Sequence, residues 1–258
     1  MARIHVGTSG FSYRHWRGIF YQNSLAASRW LAFYARVFDC VELNATFYRL
    51  PRVQTVGAWA HEVPERFRFA VKGSRYLTHL RKLLDREAGV RRFFDALEPL
   101  GKKRGPVLWQ LPGWFRADPD RLDGFLAALP KGRNALEVRH PSWLATEVYR
   151  VLERHRTALV VHDALDAAWP WPPPGPFVYW RFHGTTGAYA GRYGRARLKE
   201  VARRVEDLGR AAWLFFNNDT GAHAVQDALD LLDLLGMPAE VLAPPKAETL
   251  RASRRAIE

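Results

Sequence analysis

Eight short apolar runs recur along the chain, and each ends in a group of polar and aromatic residues. The runs are rich in β-branched and aromatic residues and are bounded by Gly and Pro, which is typical of buried parallel strands. They begin near Ile4, Cys40, Phe67, Pro106, Asn134, Ala158, Phe177 and Ala211. The pattern predicts eight strands whose polar residues gather at one end.

Apolar residues at helical spacing fill most of the intervals between these runs. Helices are predicted over 24–38, 118–129, 141–155, 193–208 and 222–235, and the interval 74–103 is predicted to hold a loop over 74–79 and then a basic helix. Asp118 before Pro119 marks a helix start, because Asp caps free backbone N–H groups and Pro suits the first helical position. Alternating strands and helices predict a parallel sheet in an α/β fold, and eight strands favour a TIM-barrel-like (β/α)8 barrel.

One interval departs from this alternation. Residues 164–176, between the sixth and seventh runs, are rich in proline, which lacks a backbone donor and is excluded from helix interiors. We therefore predict an irregular barrel with no regular helix after strand six, where a stiff loop with Trp169 and Trp171 covers that side. Residues 1–242 are assigned to a single barrel domain and 243–258 to a polar C-terminal tail.

Composition narrows the classes of protein. The 258 residues are 48% hydrophobic, enough for the core of one large domain, and the single cysteine excludes an internal disulfide and a cysteine-based metal cluster. The start shows no secretory leader pattern, and no run reaches the roughly 18 apolar residues of a membrane helix. The simplest expectation is a soluble, cytoplasmic protein with no membrane partner.

The net charge of +13 has two interpretations. It indicates an anionic partner such as nucleic acid or a phosphorylated ligand, or it reflects an arginine-rich composition whose charges lie on solvated helix faces.

Side-chain alternation places charged residues on one face of several strands. The residues that share a face are Glu42 with Asn44, Arg68 with Lys72, Glu137 with Arg139, and Tyr179 with Arg181 and His183. Because charges are costly against an apolar helix layer, we expect them inside the barrel mouth, where such barrels bind ligands. They would either form a closed network, Glu42 and Glu137 against Lys72, Arg139 and Arg181, or bind a charged ligand.

The second possibility leads to a hypothesis about activity, a hydrolase or lyase acting on a phosphate-containing ligand. Lys72, Arg139 and Arg181 would hold the anion. Glu42 or Glu137 would act as the base, and His162 or His183 would transfer protons. The ligand would be a nucleotide, a nucleic acid or a sugar phosphate.

Other polar and aromatic residues of the predicted loops are candidates for ligand binding. Asn217 and Asn218 lead into a helix whose N-terminus suits phosphate, and aromatic loop residues suit stacking on bases or sugars. The remaining candidates are Thr8, Ser9, Tyr13, Trp16, Asn44, Tyr48, His79, Gln110, Tyr189 and Tyr193.

A metal site is a further possibility. Residues of the types that bind Zn²⁺ or Mn²⁺ follow several strands, namely Glu42, Glu137, His140, His162, Asp163, His183 and His223, but they lack the spacing of a known metal motif. Metal, cofactor and oligomeric state are left open.

Two other functions stay open. One is a non-catalytic protein that binds a nucleotide or sugar phosphate. The other is a carbohydrate-active enzyme, which needs two carboxylates about 5 Å apart or somewhat more. Glu42 and Glu137 come from strands two and five and are expected to lie far apart around the ring, which disfavours a glycosidase of the common barrel type.

Several motifs resemble the DUF72 (YecE-like) family. They begin with residues 7–13 followed by Trp16 and with residues 41–48 followed by Pro51, although Phe11 stands where family members often carry Trp. The likeness continues over 69–72, 78–79, 110–112, 136–140, 181–184 and 216–218. The resemblance implies a TIM-barrel-like fold and no particular activity. Similar barrels of the endonuclease IV and xylose-isomerase-like group imply phosphodiester or sugar-phosphate chemistry, but their metal ligands do not map onto this chain.

Overall fold

The structure is a computed structural model that describes residues 3–237. Eight parallel strands are present: β1 (Ile4–Thr8), β2 (Cys40–Leu43), β3 (Arg68–Lys72), β4 (Arg104–Gln110), β5 (Asn134–Glu137), β6 (Thr157–His162), β7 (Val178–Phe182) and β8 (Ala212–Phe216). All eight lie within a few residues of the predicted starts. The tail predicted over 243–258 lies outside the described residues.

The strands form a nearly closed barrel. Their order is β1-β8-β7-β6-β5-β4-β3-β2, and every hydrogen-bonded pair is parallel. The two ends of this sheet meet through an isolated parallel bridge between Ser9 and Glu42. The predicted TIM-barrel-like fold is therefore confirmed, with a thin junction between β1 and β2.

Helices cover the outside of the barrel: α1 (Trp30–Val37), α2 (Ala45–Tyr48), α3 (Val53–Glu62), α4 (Ala88–Leu97), α5 (Pro119–Ala127), α6 (Thr146–Arg154), α7 (Gly194–Leu208) and α8 (His223–Leu234). Asp118 accepts a hydrogen bond from the N–H of Arg121 at 3.0 Å and so caps α5 as predicted. No helix between residues 3 and 237 is long and apolar enough to cross a membrane.

Some helix boundaries differ from the prediction. α1 begins at Trp30, after a 3₁₀ turn, and the segment predicted from residue 141 starts as a 3₁₀ turn before α6. The predicted loop over 74–79 includes a short π-helical turn, Tyr76–Leu80. α3 was not predicted, because Val56 is its single fully buried residue and the apolar periodicity is weak.

No helix connects β6 to β7, as the proline-rich sequence predicts. The tryptophans of this connection instead contact aromatic residues of the neighbouring strands. Trp169 packs edge-on to His162 with ring centroids 4.6 Å apart, and Trp171 packs on Trp180 at 5.7 Å. The connection therefore covers this side of the barrel without a helix.

The barrel interior changes from apolar to charged along its axis. At the end where the strands begin, His5 stacks on Trp213 with centroids 4.0 Å apart. The middle is filled by aromatic and small side chains, with Tyr179 against Phe215. Because side chains alternate along a strand, the next interior layer holds the polar residues at the strand ends.

Arg68 is the first residue of β3 and lies at the end of the barrel where the strands begin, opposite the mouth. There it donates to the carbonyls of Glu65 and Phe67. The expectation that Arg68 joins the mouth is thus wrong.

Replacing Gly7 by Ala should weaken the junction between β1 and β2. A Cβ at this position collides with the carbonyl oxygen of Cys40, which belongs to rigid backbone. We expect Gly7→Ala to lower the free energy of unfolding by about 1–3 kcal/mol, measured by urea denaturation. Gly57→Ala is the matched control, since its Cβ meets nothing closer than Pro99 at 3.8 Å, and it should be neutral or stabilising by up to about 1 kcal/mol. Equal stability of the two variants would contradict this account of the junction.

Candidate functional site

The guanidinium of Arg181 lies at the centre of the barrel mouth and binds both glutamates. Its Nη1 donates to Oε2 of Glu137 at 2.6 Å, while Nη2 and Nε donate to Oε1 of Glu42 at 2.7 and 3.2 Å. Arg181 is 1% exposed and both glutamates are fully buried. Buried charges of this kind are stable only when each one is paired and hydrogen-bonded, a condition that the three side chains satisfy together.

The carboxylate of Glu42 has further partners on both sides of the barrel. The hydroxyl of Ser9 donates to Oε1 at 2.7 Å, and the hydroxyl of Tyr179 donates to Oε2 at 2.6 Å. These bonds use both oxygens and connect β1, β2 and β7. Glu42 therefore reinforces the same thin junction that the backbone bridge to Ser9 forms.

Glu137 is occupied in a similar way. Nε of Arg139 donates to its Oε1 at 2.5 Å, and Nη2 forms an ion pair with the same oxygen at 2.5 Å, while Arg181 holds Oε2. Burial raises the pKa of Glu137, but Arg181 and Arg139 outweigh burial and hold that pKa well below its usual range. The carboxylate therefore stays ionised, and the side chain that was a candidate base holds two arginines in place.

The two glutamates are not separated in the way that their strands suggest. Positions two and five around the ring predict a wide separation, yet one long arginine side chain from β7 reaches both glutamates. Their separation therefore does not exclude a carboxylate pair. A glycosidase is disfavoured because the ionised Glu137 has no proton to give a leaving group.

His183 is a neutral side chain beside this network. Its Nε2 lies 3.0 Å from Nη2 of Arg139, which can only donate, so Nε2 accepts and the ring proton is on Nδ1. Asn217 lies 3.2 Å from that nitrogen, and its amide accepts the proton when Oδ1 faces the ring. Burial and the charge of Arg181 lower the pKa of His183 to about 2. Its lone pair is thus already used by Arg139.

His162 is held by backbone groups. Its Nε2 donates to the carbonyl of Val138 at 2.8 Å, and its Nδ1 accepts from the N–H of Ala164 at 3.2 Å. Burial lowers the pKa of His162, so the ring is neutral. Both nitrogens are occupied, which makes the ring a support for the loops after β5 and β6 in this geometry.

Lys72 is the cation of the mouth that lacks an ion pair with a carboxylate among residues 3–237. Its Nζ lies over the ring of Phe47, 4.3 Å from the centroid. Burial and the charge of Arg181 lower the pKa of Lys72 to about 8. Nearby, Nδ1 of His79 bonds the hydroxyl of Thr78 at 2.9 Å, and burial followed by the charge of Lys72 lowers the pKa of His79 to about 4.

The mouth therefore carries excess positive charge. Glu42 and Glu137 provide two negative charges, whereas Lys72, Arg139 and Arg181 provide three positive ones, and His79, His162 and His183 are neutral near pH 7. The closed salt-bridge network considered from the sequence forms in part, because Lys72 stays outside it. Excess positive charge on partly buried groups attracts an anion.

Several residues near Ser9 border this site. The hydroxyl of Tyr13 donates to the carbonyl of Ser9 at 2.6 Å, and the amide of Asn44 donates to the same carbonyl at 3.3 Å. The Oδ1 of Asn44 is buried and has no partner within the described residues. Gln110, at the end of β4, pairs in register with Glu137. Tyr13, Asn44 and Gln110 thus lie next to the residues of the charged network, and their role in ligand binding stays a prediction.

Two candidates from the loops are exposed. Tyr189 is 49% exposed and lies edge-on to His183 with centroids 6.0 Å apart, so it can reach a ligand at the mouth. Tyr48 is 73% exposed at the end of α2, and its aromatic contact is with Phe47.

Two other candidates are used to support the first loop. The hydroxyl of Thr8 donates to the carbonyl of Gly10 at 2.6 Å, on the side of β1 that faces α1. Trp16 is fully buried, and its Nε1 donates to Asp219 at 2.7 Å. These contacts fix the loop after β1 against the loop after β8, so neither side chain points at the mouth.

The loops after β7 and β8 are held in the same manner. Tyr193 is mostly buried, and its hydroxyl donates to Asp163 while accepting from the N–H of Gly184. Asn218 is fully buried and donates to Asp227 at 2.7 Å. Both residues therefore hold the loops after β7 and β8 in place around the mouth.

The carboxylates that anchor these loops were not predicted from the sequence. Asp219 and Asp227 were not singled out, and Asp163 was considered only as a metal ligand. Two of the three follow a polar residue directly after a strand, as in His162-Asp163 and Asn218-Asp219, which is the signal that could have found them. Asp227 lies inside α8 and gives no such signal.

The predicted metal ligands do not converge at the mouth. Within residues 3–237, the one group of three such side chains is His5, Asp39 and Cys40, at the opposite end of the barrel. There Nδ1 of His5 bonds Asp39 at 2.8 Å. At the mouth the glutamates are occupied by arginines, so the residues present do not form a ready metal site.

Comparison with known proteins places this geometry among related chains. A family model described as "Protein of unknown function DUF72" matches residues 5–251. UPF0759 protein YecE of Escherichia coli is 36% identical over 116 residues, so the alignment spans 43% of this chain and only 42% of YecE. UPF0759 protein YunF of Bacillus subtilis is 24% identical over 93% of this chain and 98% of its own. A solved DUF72 family structure from Thermotoga maritima has a TM-score of 0.82 and 29% identity, covering 91% of this chain and 99% of its own.

The low pKa of His183 should make the protein less stable in mild acid. Unfolding returns the ring to its ordinary pKa of about 6.5, so the unfolded chain binds the extra proton between about pH 6.5 and the folded value of about 2. The free energy of unfolding should therefore decrease as the pH is lowered through this range. His183 contributes up to about 1.4 kcal/mol per pH unit to this decrease. His79 and His162 add to the slope, while Glu137 contributes only below about pH 4.3.

Urea unfolding of His183→Asn between pH 5 and 6.5 tests this expectation. The variant should show a shallower dependence of unfolding free energy on pH than the natural chain. His61→Asn is the matched control, because His61 is exposed on α3. If His183→Asn keeps the full slope, the ring is not held neutral by the network.

Proposed function

Because this chain belongs to the DUF72 family, whose description assigns no activity, we propose a function from its own site. The barrel mouth binds a phosphate-containing ligand and acts on it as a hydrolase or lyase. The ligand is a nucleotide, a nucleic acid or a sugar phosphate. The observation that carries this proposal is the charge imbalance, in which Lys72 and the outer side of Arg139 remain after both glutamates have bound arginines.

Arg139 is the best placed group to contact a phosphate. Its Nε and Nη2 are fixed by Glu137 and His183, whereas Nη1 has no hydrogen-bond partner within the described residues. Its side chain is 19% exposed, so a ligand can reach it. A guanidinium held on one side presents its free donors in a fixed direction, which favours binding of a planar or tetrahedral oxyanion.

The chemistry depends on groups that can still accept a proton. Glu42, Glu137, His162 and His183 are already hydrogen-bonded to arginines, hydroxyls or backbone groups, so their support for the reaction is to orient the arginines and the loops. Within the described residues, Nζ of Lys72 and Nε2 of His79 have no hydrogen-bond partner. A lysine of lowered pKa and a neutral imidazole suit proton transfer near neutral pH.

The hydrogen bonds that these four side chains already make also favour the alternative, a non-catalytic protein that binds a nucleotide or sugar phosphate. Four predicted catalytic side chains are engaged in stable contacts, as expected of a binding site. This alternative uses the same anion site and differs by an absence of turnover. A carbohydrate-active enzyme has weaker support, since neither glutamate is free to act as an acid.

Arg139→Gln should weaken the binding of inorganic phosphate at least about tenfold, because a hydrogen bond between charged groups contributes roughly 1.5–3 kcal/mol. Isothermal titration calorimetry of the full chain measures the affinity. Arg203→Gln, on the exposed outer face of α7, is the matched control and should bind as the natural chain does. Equal phosphate affinity in both variants would contradict the anion site at the mouth.

Salt dependence separates a nucleic-acid ligand from a small one. If the ligand is nucleic acid, binding of a short single-stranded oligonucleotide should weaken steeply between about 50 and 200 mM salt, since each neutralised phosphate releases counterions. Fluorescence anisotropy of a labelled oligonucleotide measures this slope. A flat response would rule out the nucleic-acid version and leave the small phosphate-containing ligands.

A further inference from the structure

We propose that Lys72 is a nucleophile that forms an imine with the carbonyl carbon of a phosphorylated aldehyde or ketone. This inference rests on the proposed function, because the anion site at Arg139 would hold the phosphate of such a ligand. Of the two proposed reaction types, an imine at Lys72 favours the lyase over the hydrolase. The substrate would then be a phosphate ester that carries an aldehyde or ketone group.

The first support is the place of Lys72 in the fold. It is the last residue of β3, at the end of the barrel where the strands present their side chains to ligands. Its carbonyl accepts a hydrogen bond from Thr46 at 2.6 Å, which fixes the backbone from which the side chain extends. The residue is partly exposed, so a ligand can reach the amine.

The second support is the pattern of contacts around the amine. Nζ packs on the face of Phe47 and makes no ion pair with a described carboxylate, although two buried glutamates lie in the same network. Those glutamates are bound to arginines. They raise the pKa of Lys72, but less than burial and the neighbouring arginines lower it. An amine without a carboxylate partner, placed against an aromatic wall, is available to react.

The surrounding charges make the neutral amine accessible. Burial, Arg181 and Arg139 lower the pKa of Lys72, while Glu137 and Glu42 raise it, and the result is a pKa of about 8. At pH 7 the neutral fraction is then on the order of a hundredfold larger than for an ordinary lysine of pKa near 10.4. His79 also lies close enough to Lys72 for their charges to interact.

The chemistry balances without an oxidant or a reductant. The neutral amine adds to the carbonyl carbon, a C–N bond forms, and a proton moves from nitrogen to oxygen to give a carbinolamine. Loss of that hydroxyl with one proton releases water and leaves the C=N bond. The neutral ring of His79 can carry protons in these steps. In a ligand with a hydroxyl on the β-carbon, the neutral ring of His79 takes that hydroxyl proton, the Cα–Cβ bond breaks and the β-carbon leaves as a carbonyl compound. The electron pair of the broken bond passes to the protonated imine, which becomes an enamine.

Reductive trapping tests the proposal directly. The full chain is incubated at pH 7 with glyceraldehyde 3-phosphate and sodium cyanoborohydride, and adducts are located by intact and peptide mass spectrometry. We expect one adduct per chain, on Lys72, formed at least about tenfold faster than on the exposed Lys102, since more of the Lys72 amine is neutral. Lys72→Arg should lose this adduct, whereas Lys102→Arg should keep it.

Two results would overturn the proposal: labelling of Lys72 no faster than of Lys102, or the same fast adduct in Lys72→Arg. Failure of the proposed function would look different. In that case Lys72 would react equally fast with unphosphorylated glyceraldehyde, and inorganic phosphate would not slow the reaction. Phosphate binding without a Lys72 adduct would leave the anion site standing and remove the imine.

Discussion

The structure of the mouth depends on one constraint, the burial of the Arg181 guanidinium between the carboxyl groups of two buried glutamates. Burying three charges is unfavourable unless each finds its partners, so the barrel must bring Glu42, Glu137 and Arg181 together wherever their strands lie. The same contact connects β2, β5 and β7, and through Ser9 it reaches β1. A polar cluster thereby supports the thinnest part of the sheet.

The other properties of the mouth follow from this arrangement. Since both carboxylates are used by arginines, Arg139 is oriented by Glu137, and its remaining donor side faces outward. Lys72 is left with cations nearby and an aromatic ring beneath it. This placement costs stability, because the protonated amine would be better solvated outside. Costs of this kind are typical of functional sites, where groups are held in environments that change their reactivity.

The loops around the mouth are fixed by long-range contacts that involve no ligand. Trp16 with Asp219 joins the first and last loops, and Tyr193 with Asp163 joins the loops after β6 and β7. A site built on strand ends and braced in this way is largely preformed, so a ligand need not pay the entropy of ordering it. The matches to DUF72 relatives extend over the same framework but assign no reaction to it.

The sequence by itself determined the number of strands, the missing helix after β6 and the interior position of the charged residues at the strand ends, with Arg68 as the exception. These features are local, because strand alternation and the backbone limits of proline act within a few residues. Only the tertiary structure decided which charges pair. Arg181 meets Glu42 from 139 residues away, and barrel curvature sets that contact. The same holds for Trp16 and Tyr193, whose hydrogen-bond partners Asp219 and Asp163 come from distant segments that no local pattern encodes.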